Sequence, residues 1–245
     1  MKKIIFLITL ILSLIFTTTL KAKTTDIPKG LKDKGPLTKI TFIHHKKGYA
    51  KPPWAGNGKD KGGPACYGFL AKDAKWKIAE NYIINTTNSD LAESFVNQAF
   101  DASVTEWENY GGNIFGDRLN DLTADFNFNS LDNQNVVVFD AYPNPDVIAV
   151  TSIWGYFYGN PKTRELVEWD MLFNTYFNWG DANLDPVLMD LQNIATHELG
   201  HSAGLDDLYE TSCSLETMYG YSIEGEILKR NLNLGDITGI QKLYN

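Results

Sequence analysis

Histidine is scarce in this 245-residue chain. There are four, His44, His45, His197 and His201. No imidazole follows residue 201, so a metal site built there from histidine alone stops at two ligands. The two cysteines, Cys66 and Cys213, allow at most one disulfide. The only long apolar run lies at the N-terminus, Ile4 to Phe16, short for a membrane span. Internal repeats and heptads are absent, which excludes solenoid and coiled-coil architectures. Positive charge is in deficit over residues 65–245, with nine Lys and Arg against 27 Asp and Glu. So acidic a region argues against nucleic acid as a partner.

The N-terminal run has Lys2 and Lys3 before it and small and polar residues after it, up to Ala22. This is a signal-peptide layout, predicted over 1–22 and removed from a secreted product. If it stays uncleaved, it anchors the protein to a membrane on the extracellular side. Residues 23–64 are rich in Lys, Gly and Pro, with nine Lys against three Asp between 24 and 64. Such a composition predicts a flexible basic tether or pro-segment, attracted to the acidic remainder and dispensable for activity. His44 and His45 fall within it. Residues 65–245 are the predicted folded domain, long enough for one substantial core, and expected to be a monomer.

The chemistry is concentrated in His197-Glu198-Leu199-Gly200-His201-Ser202-Ala203-Gly204-Leu205-Asp206-Asp207. Two histidines four apart on a helix share one face and can reach one zinc ion, with Glu198 beside it as general base. Gly204 can end the helix in a left-handed conformation and turn the chain back. The position three residues on, often a third histidine, is Asp207, whose carboxylate is a competent zinc ligand. His197, His201 and Asp207 are therefore the predicted ligands of one catalytic zinc. Asp206 is the rival third ligand, one residue short of the spacing. Met218 lies eleven residues beyond Asp207 and is followed by Tyr219 and Gly220, a pattern suited to a tight turn.

With these motifs in place, the chain resembles a matrixin-type metzincin of the small secreted archaeal or bacterial kind, with Asp as third ligand. Lys75-Trp76-Lys77 followed by Asn81 to Asn85 is similar to that family's first strand, and Gly235 to Tyr244 to its closing helix. The resemblance implies an α+β catalytic domain: a mixed, twisted sheet, an active-site helix, a Met-turn and a C-terminal helix. It also implies that a sheet-edge strand binds extended substrate above the metal. By order along the chain that strand is Val147 to Ser152, with Ile148, Ala149, Val150 and Thr151 as substrate-facing residues. The family's structural zinc uses several histidines that this chain lacks. Calcium is possible but unassigned, the acidic and amide residues Asp140, Asn144, Asp146, Asp181, Asn183 and Asp185 being common turn-formers. Some metzincins use a tyrosine two residues after the turn methionine. Gly220 stands there, and neither Tyr219 nor Tyr221 is assigned that role.

In a secreted protein an even cysteine pair predicts a Cys66–Cys213 disulfide. The alternative, Cys66 as an inhibitory zinc ligand like that of vertebrate matrixin propeptides, fits poorly, because Gly62 to Tyr67 does not match that switch sequence. Periodicity predicts a helix over 91–109 capped by Asp90, strands over 135–139, 147–154 and 166–173, and an active-site helix opened by Asp185 and Pro186. The expected activity is that of a secreted zinc metalloendopeptidase acting on protein or peptide through a zinc-activated water. The alternatives are a zinc amidase or deacetylase on a non-peptide substrate, and a non-catalytic, zinc-stabilised secreted binding domain.

Overall fold

The computed structural model describes residues 34–48 and 65–245. The predicted signal peptide lies outside them. Among the described residues nine strands and three α-helices follow in order. They are β1 (Leu37–Lys46), β2 (Glu80–Asn85), α1 (Glu93–Gly111), β3 (Phe115–Asn120), β4 (Asn135–Asp140), β5 (Val147–Tyr156), β6 (Glu165–Asn174), β7 (Trp179–Gly180), β8 (Met189–Asp190), α2 (Leu191–Ser202), β9 (Tyr221–Ser222) and α3 (Leu234–Tyr244). Seven strands form one sheet in the order β3-β2-β4-β6-β5-β1-β9. β2, β3, β4 and β6 run parallel, while β5 lies antiparallel to both β6 and β1. The fold is α+β with a mixed sheet, as expected.

Alternation along β4 shows how the layers are filled. Val137 and Phe139 face the main core, with Phe100 and Trp107 of α1 and Ile194 and Leu199 of α2. Val136 and Val138 point the other way, to Leu172 and the loop aromatics Phe126 and Phe128. A strand buried on both faces reads as a continuous apolar run, here Val-Val-Val-Phe. α1 carries Val96, Phe100 and Trp107 on its buried side, and the Trp107 indole donates to the Thr196 carbonyl at 2.7 Å, locking α1 to α2.

Three expectations are corrected. First, residues 37–46, placed by composition in a flexible segment, form β1 and pair with β5 from Leu37↔Tyr156 to His45↔Val147. The run Leu-Thr-Lys-Ile-Thr-Phe-Ile-His-His-Lys is rich in strand-formers, a signal hidden when averaged with its Lys-, Gly- and Pro-rich flanks. The proposed boundary at residue 64 therefore does not separate folded from unfolded chain. Second, β5 is not an edge strand. β6 flanks it on one side and β1 on the other, so Ile148, Ala149, Val150 and Thr151 have no open edge while β1 is in place. Third, the helix starts move. Asp90 has a left-handed backbone (φ 56°) and lies outside α1, whose N-cap is Ala92. An N-cap needs an extended backbone. α2 begins after Asp190, not Asp185; the Asp190 carboxylate accepts the Asn193 amide and pairs with Arg230. Asp185 and Pro186 belong to a preceding turn, where Asp185 accepts the Val187 amide.

Cys66 and Cys213 are bonded across a sequence separation of 147 residues. The bond ties the start of the C-terminal region to the turn before Met218. Closing so long a loop contributes about 2–4 kcal/mol by restricting the unfolded chain. Replacing both cysteines by serine is expected to lower the unfolding free energy by about that amount in denaturant titrations. An unchanged midpoint would show that other contacts alone fix this corner.

Candidate metal centre

α2 lies under the sheet and carries His197, Glu198 and His201 on one fully buried face. Just past the helix and its C-cap Ala203 lies Gly204, whose φ of +106° is open to glycine and strained for other residues. A β-carbon there would also meet the Ala74 carbonyl at 2.8 Å. The chain turns back, and Asp207 reaches the two histidines. Its Oδ1 lies 3.3 Å from His197 Nε2 and 3.4 Å from His201 Nε2, and the two Nε2 atoms are 3.1 Å apart. Four-coordinate zinc with bonds of about 2.0–2.1 Å requires ligand–ligand edges of about 3.3 Å. The triangle has that size.

The outer partners aim the ligand atoms. His197 Nδ1 lies 2.7 Å from the Thr217 carbonyl and His201 Nδ1 3.0 Å from the Leu205 carbonyl. A carbonyl only accepts, so each Nδ1 carries a proton and each Nε2 is left to face the centre. The Tyr209 hydroxyl donates to Asp207 Oδ2 at 2.9 Å, while the buried Oδ1 faces the two histidine nitrogens. These donor atoms fit a divalent metal such as zinc. Asp206 does not join them. Its Oδ1 accepts the Asp207 amide at 2.9 Å, which makes it a support for the turn.

The charges are tightly linked. Burial alone would lower the His201 pKa, but the Asp207 carboxylate outweighs it and raises the value to about 9. Burial would raise Asp207, but both histidines hold its carboxyl far below the usual range. Burial, assisted by His44, lowers His197 to about 4. At neutral pH the metal-free centre therefore holds a proton on His201, and a metal must displace it.

Glu198 is not in that triangle. Thr151 of β5 donates to its Oε2 at 2.5 Å, and His44 Nδ1 of β1 lies 2.9 Å from its Oε1. Burial raises its pKa, and the charges of His197 and His201 oppose the rise. Thr151 thus meets the candidate base rather than presenting itself at a sheet edge.

Met218 is buried beneath α2. A β-carbon on Gly200 would fall 2.2 Å from its sulfur and 2.6 Å from the Trp107 ring, so only glycine lets helix, methionine and indole pack this closely. The Asp236 carboxylate of α3 accepts the Thr217 and Met218 amides at 2.7 and 3.1 Å and so holds the turn. Burial raises its pKa to about 7. Asp236, Tyr209, Lys229 and His44 are contributors that local motifs did not single out. Buried Lys229 donates to the Tyr221 carbonyl and the Ser222 hydroxyl, both at 2.8 Å, fixing β9. Only the helical histidines have a regular spacing; these partners come from distant positions. The turn-formers considered for calcium are used locally. Asp140, Asn144, Asp181 and Asp185 each accept a nearby backbone amide.

The matrixin family model matches residues 74–245. No curated protein matches the chain.

The ligand assignment is tested by zinc content after dialysis. Asp207→Ala is expected to lose the metal, Asp206→Ala to keep most of it, and Tyr209→Phe to weaken affinity by about 10–100-fold. Retention by Asp207→Ala with loss by Asp206→Ala would reverse the assignment. Zinc binding at pH 7 is further expected to release about one proton, from His201, in calorimetric titrations across buffers of different ionisation enthalpy.

Proposed function

The chain belongs to the matrixin family of zinc metalloendopeptidases, and we propose that it is a secreted enzyme cleaving peptide bonds with Glu198 as general base. The observation that carries this reading is the division of labour in α2. His197 and His201 converge with Asp207, while the carboxylate between them in sequence stays out of the triangle and is held by a hydroxyl from β5.

Bound zinc supplies Lewis acidity, making a water easier to deprotonate and a carbonyl easier to attack. The chain's own groups do the rest. Glu198 takes the proton from the attacking water and returns it to the leaving amine. Its pKa, raised by burial, suits a carboxylate that must hold that proton for part of the cycle. The Thr151 hydroxyl keeps Oε2 in place, leaving Oε1 as the oxygen for water.

The substrate is protein or peptide, as the family implies. Beside β9, a groove of about 760 Å³ is lined by Leu215, Tyr219, Tyr221, Ile223 and Leu228. Its largely apolar lining fits a large apolar side chain of a bound peptide. Secretion is supported by the signal-like N-terminus and by the disulfide, which persists in oxidising compartments.

Glu198→Gln is the decisive variant. With zinc retained, its hydrolysis of quenched peptides is expected to fall by about 10²–10⁴-fold. A metal-loaded variant that cleaves at the wild-type rate would remove Glu198 from the base role.

A further inference from the structure

β1 lies where an extended substrate would lie. It is antiparallel to β5 on one side and parallel to β9 on the other, through His45↔Tyr221 and Lys46↔Ser222. β5 and β9 flank the metal centre, since β5 supplies Thr151 to Glu198 and β9 follows the Met218 turn. An extended peptide gains most from main-chain pairing with such an edge, and here the chain's own residues 37–46 already occupy it.

The side chains of β1 cover the reactive groups one by one. The Phe42 ring stacks on the His201 ring, with centroids 3.8 Å apart and planes 12° from parallel. The His44 ring lies 4.0 Å from the His197 ring. His44 is buried, its Nδ1 bonded to the Glu198 oxygen that a water would need, and its Nε2 has no partner. One donor atom each from His44, His197 and Glu198 lie within 4.8 Å of one another. The β1–β5 register shifts between His44 and His45, next to these contacts. Beyond them, Lys46 reaches Glu224 at 2.6 Å, and near the other end of the strand Lys34 pairs with Glu165.

We propose that β1 is an inhibitory strand that mimics substrate, with His44 as its plug: it fills the β5–β9 cleft and engages the metal centre and Glu198 in place of peptide and water. The proposal rests on the peptidase reading but adds a specific occupant and a specific residue. A tethered strand competes at a local concentration on the order of millimolar, so free peptides enter poorly until it leaves. The Cys66–Cys213 bond holds the rest of the chain together from residue 66 onward. A cut between Gly48 and Cys66 therefore frees β1 without cutting the centre's own elements.

The test uses the zinc-loaded full chain with a specific protease site introduced between residues 49 and 64, assayed on quenched peptides before and after cutting and removal of the N-terminal fragment. A synthetic Leu37–Lys46 peptide is then returned, with its binding read by fluorescence anisotropy. Cutting is expected to raise hydrolysis about tenfold or more, and the returned peptide to bind and inhibit. A His44→Ala peptide should bind about tenfold more weakly, as expected for losing a hydrogen bond to a charged group. In the uncut chain, the Phe42→Ala/His44→Ala double variant, which keeps the strand's backbone, should also hydrolyse faster than wild type. Equal rates in cut, uncut and double-variant proteins would overturn the inhibitory strand while leaving the peptidase reading intact. So would loss of fold on removing the fragment together with an unchanged rate in the double variant. If no form hydrolyses peptides yet the returned strand binds in a His44-dependent way, the peptidase reading fails and the strand's place in the cleft stands.

Discussion

Two imidazole nitrogens 3.1 Å apart, each facing the other and a carboxylate oxygen, need a positive charge between them. The Thr217 and Leu205 carbonyls make this unavoidable, because they hold the Nδ1 protons and turn both Nε2 atoms inward. In the metal-free protein a second proton on His201 meets the need, and a divalent metal bound in its place would meet it too. Much of the surrounding structure serves this constraint. Gly204 turns the chain so that Asp207 can return, Tyr209 takes its other oxygen, and Asp236 ties down the turn whose Thr217 carbonyl orients His197.

The cost of assembling such a centre is carried by packing at a distance. α2 has room for His197 and His201 side by side because Gly200 admits the Met218 sulfur and the Trp107 ring at its back. Trp107 then bonds to the Thr196 carbonyl, and Trp76 to the Ser202 carbonyl at 2.8 Å. The helix is thus held at its middle and at its end by indoles from two separate parts of the chain. Close packing of this kind leaves little freedom, which is what a site needing ligand edges near 3.3 Å demands.

The spacing of His197, Glu198, His201, Gly204 and Asp207 was readable because each residue lies within one helix and one turn, where periodicity and backbone chemistry act locally. The long apolar strands were readable for a similar reason, being runs that fit buried pleats. The N-terminal strand was not, because ten strand-forming residues were averaged with basic, glycine-rich flanks. β1 also gains its order from β5, more than a hundred residues later, and no local pattern reports a pairing of that kind. The same holds for Tyr209, Lys229 and Asp236, which matter through partners that only the fold supplies. Order along the chain alone makes β5 resemble the family's edge strand, whereas in the fold β1 covers that edge and brings His44 to Glu198.

The geometry of two imidazoles and one carboxylate fits a single zinc. X-ray absorption spectroscopy on the zinc-loaded protein tests it most directly. The expected result is nitrogen and oxygen scatterers at about 2.0–2.2 Å, multiple scattering from imidazole, and loss of one short oxygen or of the metal itself in Asp207→Ala. Sulfur at about 2.3 Å would contradict it, as would a full shell unchanged by Asp207→Ala, and either result would require a different centre.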